Sequence, residues 1–258
     1  MAFARKRFGQ HFLHDPATIG RILEAIDAQP GEALVEIGPG RGALTSRLFE
    51  AAGALDAIEI DRDLAAALRG AWAARPSFVL HEADALQFDF AALAAERGQP
   101  LRVVGNLPYN LSTPLLFHLL RAPAALRDLH VMLQKEVIDR ICAQPGTGEY
   151  GRLTVMLAPW IEAEPLCDVG PGAFRPPPRV WSAVARLRVR REPAFAVDER
   201  FGRLVAAAFS QRRKTLRNAL RALVDAAAIE RCGIDPGARP ETLAPAQFGA
   251  LARLVASS

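Results

Sequence analysis

Between residue 33 and about residue 137, short apolar runs alternate with stretches of helical period, and that alternation calls for a parallel sheet with crossover helices. The runs are "ALVEIG" (33–38), "ALDAIEID" (54–61), "SFVLHEAD" (77–84), "LRVVGN" (101–106) and "DLHVMLQ" (128–134). Ahead of them, Asp15 followed by Pro16 reads as an N-cap with Pro at the first helical position, opening an amphipathic helix over "ATIGRILEAI". Behind them, "RLTVMLAPW" (152–160) and "SAVARLRVR" (182–190) are expected as the last elements of the same sheet. The Pro-rich "VGPGAFRPPPRV" (169–180) excludes helix and central strand, so it must be an ordered loop or extended wall. After Glu192 and Pro193 the composition turns helical. The expected organisation is an α/β sheet domain over 1–192 and a small all-helical domain over 193–258.

A chain of 258 residues can bury a full core, as one large domain or one with a smaller companion. No run of eighteen apolar residues occurs, and "MAFARKRFGQ" lacks the apolar centre of a signal peptide. A cytoplasmic protein with no membrane partner is expected, and from size alone a monomer. The three cysteines, Cys142, Cys167 and Cys232, are odd in number and far apart, without a CxxC. They support neither a disulfide nor a metal site. Net charge is only +4, yet between 174 and 221 thirteen Lys and Arg face three acids. Such segregation suits a polyanion. Within it, "FSQRRKTLRNALRAL" (209–223) sets Arg213, Arg217 and Arg221 on one stripe of a helix and Leu216, Leu220 and Leu223 on another. An ordinary solvated helix face is the alternative, but the local charge favours phosphate contact by Arg212, Arg213, Lys214, Arg217 and Arg221.

Chemistry-bearing residues recur where the expected strands end, which is where open α/β sheets bind ligands. In "VEIGPGRGALT" (35–45), Gly38, Gly40 and Ala43 fit a GxGxxA turn that lets the backbone approach a ligand closely. Glu59 ends the second run, where it can accept both hydroxyls of a ribose, and Asp84 ends the third, where it can meet an adenine amino group. Those three sites fit NAD and S-adenosylmethionine equally. At the fourth end lies "NLPY". The exocyclic amine of adenine is a poor nucleophile because its lone pair is delocalised into the ring. An amide oxygen from Asn106 and a main-chain carbonyl, that of Leu107, can accept both amine hydrogens and favour a pyramidal nitrogen. Pro108 stiffens the turn, and Tyr109 offers a face on which an extruded base can stack. Phe174, on the Pro-rich stretch, either closes the other face of that base or is a core residue; the two readings are even.

This ordered set of motifs resembles the ribosomal RNA adenine N6,N6-dimethyltransferases. The likeness runs from "RKRFGQHFLHD" through "VEIGPGRGALT", "IEIDRD", "EADAL", "GNLPYN", "LQKEV" and "GAFRPPPRVWSAVARL" to "QRRKTLRNAL", and covers nearly the whole chain. It implies a class I, Rossmann-like methyltransferase sheet, S-adenosylmethionine as donor, and dimethylation of two adjacent adenines near the 3′ end of 16S rRNA in the small ribosomal subunit. It also implies that the helical domain helps to seat the enzyme on that particle. His11, Leu13, Gly38, Gly40, Glu59, Asp84 and Asn106 are implied donor contacts. The implied target pocket is Asn106, Leu107, Pro108 and Tyr109, with Phe174 assisting. The chain departs from the common "QNFL" by carrying His11 in "QHFL". Related methyltransferases that modify a large-subunit adenine, a non-catalytic subunit-assembly factor and, more distantly, an NAD dehydrogenase are the competing readings.

Overall fold

The computed structural model describes residues 11–211 and 213–255. They form two compact units, one of residues 11–138 and 163–189, the other of 139–162, 190–211 and 213–255. One break falls at 189/190, a few residues before the change of composition at 192–193. Residues 139–160, however, group with the helices and not with the sheet where they were expected.

In the first unit, strands β2 (Leu34–Ile37), β3 (Leu55–Glu59), β4 (Phe78–Glu82), β5 (Leu101–Asn106) and β6 (Leu126–Gln134) correspond to the five apolar runs. Helices α2 (Thr45–Ala52), α3 (Arg62–Ala71), α4 (Phe90–Arg97) and α5 (Ser112–Leu119) are the crossovers between them. The sheet continues with β7 (Ile161–Val169) and β9 (Ser182–Val189), in the order β4-β3-β2-β5-β6-β9-β7. The first five strands are parallel, and β9 runs antiparallel to β6. From β2 the chain steps outward to β3 and β4, then returns to β5 on the other side of β2. The β2/β5 boundary is therefore a topological switch point, where a crevice opens beyond the strand ends.

Helix α1 (Pro16–Ile26) starts as its sequence requires: the Asp15 carboxylate accepts the Thr18 N–H at 2.8 Å and Pro16 occupies the first turn. Its buried Ile22 and Ile26 join Leu34, Leu48, Leu55 and Phe174 in one apolar core. A two-stranded ladder of β1 (Phe12–Leu13) and β8 (Phe174–Arg175) ties the start of the chain to the Pro-rich stretch.

The second unit has its own core, including Val155, Leu204, Leu216, Leu220, Ile229 and Phe248. Two expectations change there. Residues 152–157 of "RLTVMLAPW" form helix α7 (Arg152–Leu157), with the Thr154 hydroxyl donating to the Arg140 carbonyl. The seventh strand is the following segment, β7, whose Pro165 and alternating acids are tolerated because it lies at the sheet edge. Nor is 209–223 one helix. Helix α8 (Glu199–Ala208) stops before it, and α9 is only Leu216–Leu220. The N–H groups of Leu216 and Arg217 donate to the carbonyls of Ala238 and Pro236, so the new helix begins where a neighbouring loop satisfies its first donors. Arg217 and Arg221 remain four apart on an exposed face, while Arg213 lies in the preceding turn. Arg212 lies outside the described residues. Helices α10 (Ala226–Arg231) and α11 (Pro245–Ala252) complete this unit. Among the described residues no helix is long and apolar enough to cross a membrane.

Candidate active site

A cavity opens at the carboxyl edge of the sheet, at the switch point, and its walls come from successive strand ends. His11, Leu13, Gly38, Gly40, Glu59, Asp84, Asn106, Leu107, Pro108 and Tyr109 all line it. After β2, Gly38 and Gly40 adopt left-handed backbone, φ +67° and +58°, where an L side chain is strained. At Gly40 a Cβ would also sit 3.3 Å from the Phe12 ring, which would have to give way slightly to admit it. The Glu59 carboxylate then ties this turn to its own strand: Oε2 accepts the Gly40 N–H at 3.1 Å and Oε1 accepts the Asp61 N–H at 2.9 Å. Burial raises its pKa, opposed by those two N–H groups. Asp84 closes an Asx turn by accepting the Leu86 N–H at 2.9 Å.

Asn106, the last residue of β5, donates its amide N–H to the main-chain carbonyl of His11 at 3.1 Å. A carbonyl can only accept, so the amide nitrogen must point there and Oδ1 is left as the acceptor. Leu107 is buried and donates its N–H to the Met132 carbonyl. Gly105 makes this turn possible. A Cβ there would fall 2.8 Å from the Ile37 carbonyl oxygen and 2.7 Å from Leu107 Cδ2. The Tyr109 ring lies beside the His11 ring, centroids 5.9 Å apart at 27°, and its hydroxyl is 2.7 Å from Ser182 Oγ. His11 Nδ1 in turn meets the Pro176 carbonyl at 2.8 Å. The commoner Asn is thus replaced by a ring that braces both Tyr109 and the Pro-rich loop.

Phe174 departs from the expected pocket. It is 2% exposed, lies in the apolar core with Leu13 opposite it on β1, and does not line the cavity. The core reading of this residue is the correct one. Three contributors were not singled out from the sequence. Ile60, 45% exposed, gives the cavity an apolar wall. Ser182, fully buried, holds the Tyr109 hydroxyl. Glu36, buried in the middle of β2, also lines the cavity, and its Oε2 accepts the Thr45 hydroxyl at 2.7 Å. Burial lifts its carboxyl to about 7, with the Glu59 charge adding to the rise and the Thr45 bond opposing it. An acid in "ALVEIG" was the available signal.

Sheet order, switch-point cavity and glycine turn together define a class I methyltransferase fold. The family model for ribosomal RNA adenine dimethylase matches residues 1–257, so the chain belongs to that family. It is 54% identical over 250 residues to ribosomal RNA small subunit methyltransferase A of Acinetobacter baylyi, covering 96% of this chain and 91% of that one. To the protein of the same name from Pseudomonas aeruginosa it is 52% identical over 255 residues, covering 98% and 95%. The crystal structure of the 23S rRNA methyltransferase ErmE is similar with a TM-score of 0.73 and 30% identity, over 95% of this chain and 99% of that one. A dimethyladenosine transferase from Plasmodium falciparum has the same fold, with a TM-score of 0.80 at 24% identity.

Proposed function

We propose that this chain transfers methyl groups from S-adenosylmethionine to the N6 amines of two adjacent adenines near the 3′ end of 16S rRNA, acting as a monomer on the small ribosomal subunit in the cytoplasm. The single observation that carries the reading is the Asn106 amide, whose nitrogen is committed to His11 and whose oxygen is therefore an obligatory acceptor. Identity of 52–54% to small-subunit enzymes, against 30% to a 23S enzyme, favours the small subunit over the large.

The cavity suits the donor. Glu59 would accept the ribose hydroxyls, Asp84 would take the adenine amino group, Ile60 would cover the base, and Gly38 and Gly40 would let the rest approach the backbone. When bound, S-adenosylmethionine supplies an electrophilic methyl on a sulfonium. The chain's own residues prepare the acceptor. Asn106 Oδ1 and the Leu107 carbonyl accept the two amine hydrogens and turn the nitrogen lone pair out of conjugation. Pro108 fixes the spacing between them. The Tyr109 ring, held at one end by Ser182 and on one face by His11, stacks the extruded adenine on its other face, a contact worth about 1–3 kcal/mol. No base is needed before transfer, because the proton can leave the alkylated nitrogen afterwards. Arg213, Lys214, Arg217 and Arg221 contact rRNA phosphates, and Arg212, outside the described residues, is assigned with them from the sequence.

The test is labelled S-adenosylmethionine with small subunits from cells lacking the modification. Label on two adjacent adenines of 16S rRNA is expected, and label only on large subunits would overturn the reading. In the same assay, replacing Arg213, Lys214 and Arg217 together by Ala should flatten the salt dependence of particle binding by about one unit of log–log slope per lost phosphate contact.

A further inference from the structure

Beyond the pocket, the most exposed large apolar side chain among the described residues is Trp181, at 55%. Its backbone is not loose. The Trp181 carbonyl accepts the Lys135 N–H at 2.9 Å, and the next residue, Ser182, is fully buried against the Tyr109 hydroxyl. The benzo end of the indole rests beside Gly170, where a Cβ would come within 3.6 Å of Cη2. Ser182 pairs with Gln134, the last residue of β6, so Trp181 stands just past the carboxyl edge of the sheet, the edge on which the cavity opens. It is two strand spacings across and three residues along from Asn106, roughly 14 Å. Arg175, Arg179 and Val180 on the same loop are exposed, and that loop is tied to the pocket wall through Pro176 and His11.

An exposed aromatic on a loop that also carries exposed arginines is an arrangement that can grip a single strand: a stacking face with cations near it for the phosphates. We infer that Trp181 is the stacking platform for the unpaired base next to the target adenine, with Arg175 and Arg179 on the flanking phosphates. The inference rests on the proposed reaction at Asn106 and adds to it a residue that selects for a second base beside the first. Where two adjacent adenines are modified, one would wait on the indole while the other is in the pocket. A ribosomal protein is the other partner an exposed Trp could meet, but arginines on the same loop suit a phosphate backbone better.

Two measurements on the full chain test this. In the first, methyl transfer to unmethylated small subunits is compared for wild type, Trp181→Ala and Trp181→Phe, with S-adenosylhomocysteine affinity measured alongside as a check on the donor site. Trp181→Ala should raise KM for subunits roughly tenfold with kcat within about twofold, and Trp181→Phe should recover most of the loss. Donor-site affinity should not change. In the second, a single-stranded oligoribonucleotide with two adjacent adenines is titrated against the protein's tryptophan emission. Trp72 and Trp160 are the other two indoles, so the difference between wild type and Trp181→Phe isolates residue 181. Quenching in that difference is expected, and it should vanish when the base beside the target is made abasic. An active wild type with an indistinguishable Trp181→Ala variant would overturn the platform alone. A raised KM without quenching would assign the indole to a ribosomal protein and also overturn it. Quenching by the oligonucleotide with no methylation of small subunits would instead sink the proposed reaction and leave the stacking role standing.

Discussion

At the amino edge of the sheet, the Asp128 carboxylate meets the Arg102 guanidinium through two 3.0 Å hydrogen bonds, and Arg102 reaches Glu32 at 2.8 Å. Asp56 is held in the same way by Arg97 and His81, each at 2.8 Å or less. At the carboxyl edge, Glu36 and Glu59 are as deeply buried but are met by a hydroxyl and by backbone N–H groups. Their ionisation follows the partners. Burial alone would push Asp128 up, but His130 and Arg102 pull it down to about 2, and Asp56 likewise falls below its usual range. Glu36 and Glu59 move the other way. One edge neutralises its charges internally and gives stability. The other keeps carboxyl oxygens in hand as hydrogen-bond partners, which is what a ribose requires.

The contrast can be broken from either side. Asp128→Ala should cost about 3 kcal/mol in denaturant unfolding, because it breaks a buried pair and leaves the Arg102 Nε and Nη2 donors without their carboxylate, while turnover per folded molecule stays at the wild-type level. A loss of turnover larger than the loss of folded protein would refute a purely structural amino edge. Asn106→Ala should do the reverse, lowering kcat by about 10²–10³-fold with thermal stability and rRNA binding nearly unchanged. Normal turnover by that variant would remove the pocket from consideration.

Glu36 gives a subtler test. Its carboxyl is near 4.5 when unfolded and about 7 when folded, so the native chain holds a proton that the unfolded chain has released. Stability should therefore fall as pH rises from about 4.5 to 7, by on the order of 2–3 kcal/mol, and Glu36→Gln should flatten that slope. Parallel profiles for the two proteins would mean that Glu36 ionises as freely in the fold as outside it. The smallest effect is expected at Tyr109→Phe. The ring face survives, but buried Ser182 loses its partner, so about 1 kcal/mol of stability and only a few-fold of activity should go.

What the sequence made legible was whatever has a period or a spacing. The five parallel strands, and the placing of Gly38, Glu59, Asp84 and Asn106 at or just past their ends around one cavity, followed from the apolar runs and the residues that close them. Strand β7 did not, because Pro165 and three acids in nine residues erase the apolar signal, and only a sheet edge tolerates them. Helix α9 was overextended because "QRRKTLRNAL" has helical composition throughout; its true start depends on carbonyls at Pro236 and Ala238, some twenty residues away. Phe174 shows the same limit in the site. Its motif was visible, yet whether it faced a base or the core depended on β1 lying across it. Ser182 carried no signal of its own until Tyr109 came within 2.7 Å.

The brace on Asn106 has a consequence for synthesis. The carbonyl that orients this amide belongs to His11, and His11 is itself held by Pro176, 165 residues later in the chain. A nascent chain that has passed residue 110 already carries the glycine turn, Glu59, Asp84 and Asn106, but not the loop that fastens residues 11–13 across them. Such a fragment lacks both β6, the strand that flanks Asn106, and the brace that aims its amide. Methyl transfer would switch on only once the strand Phe174–Arg175 and the loop behind it emerge to pair with the chain's own beginning.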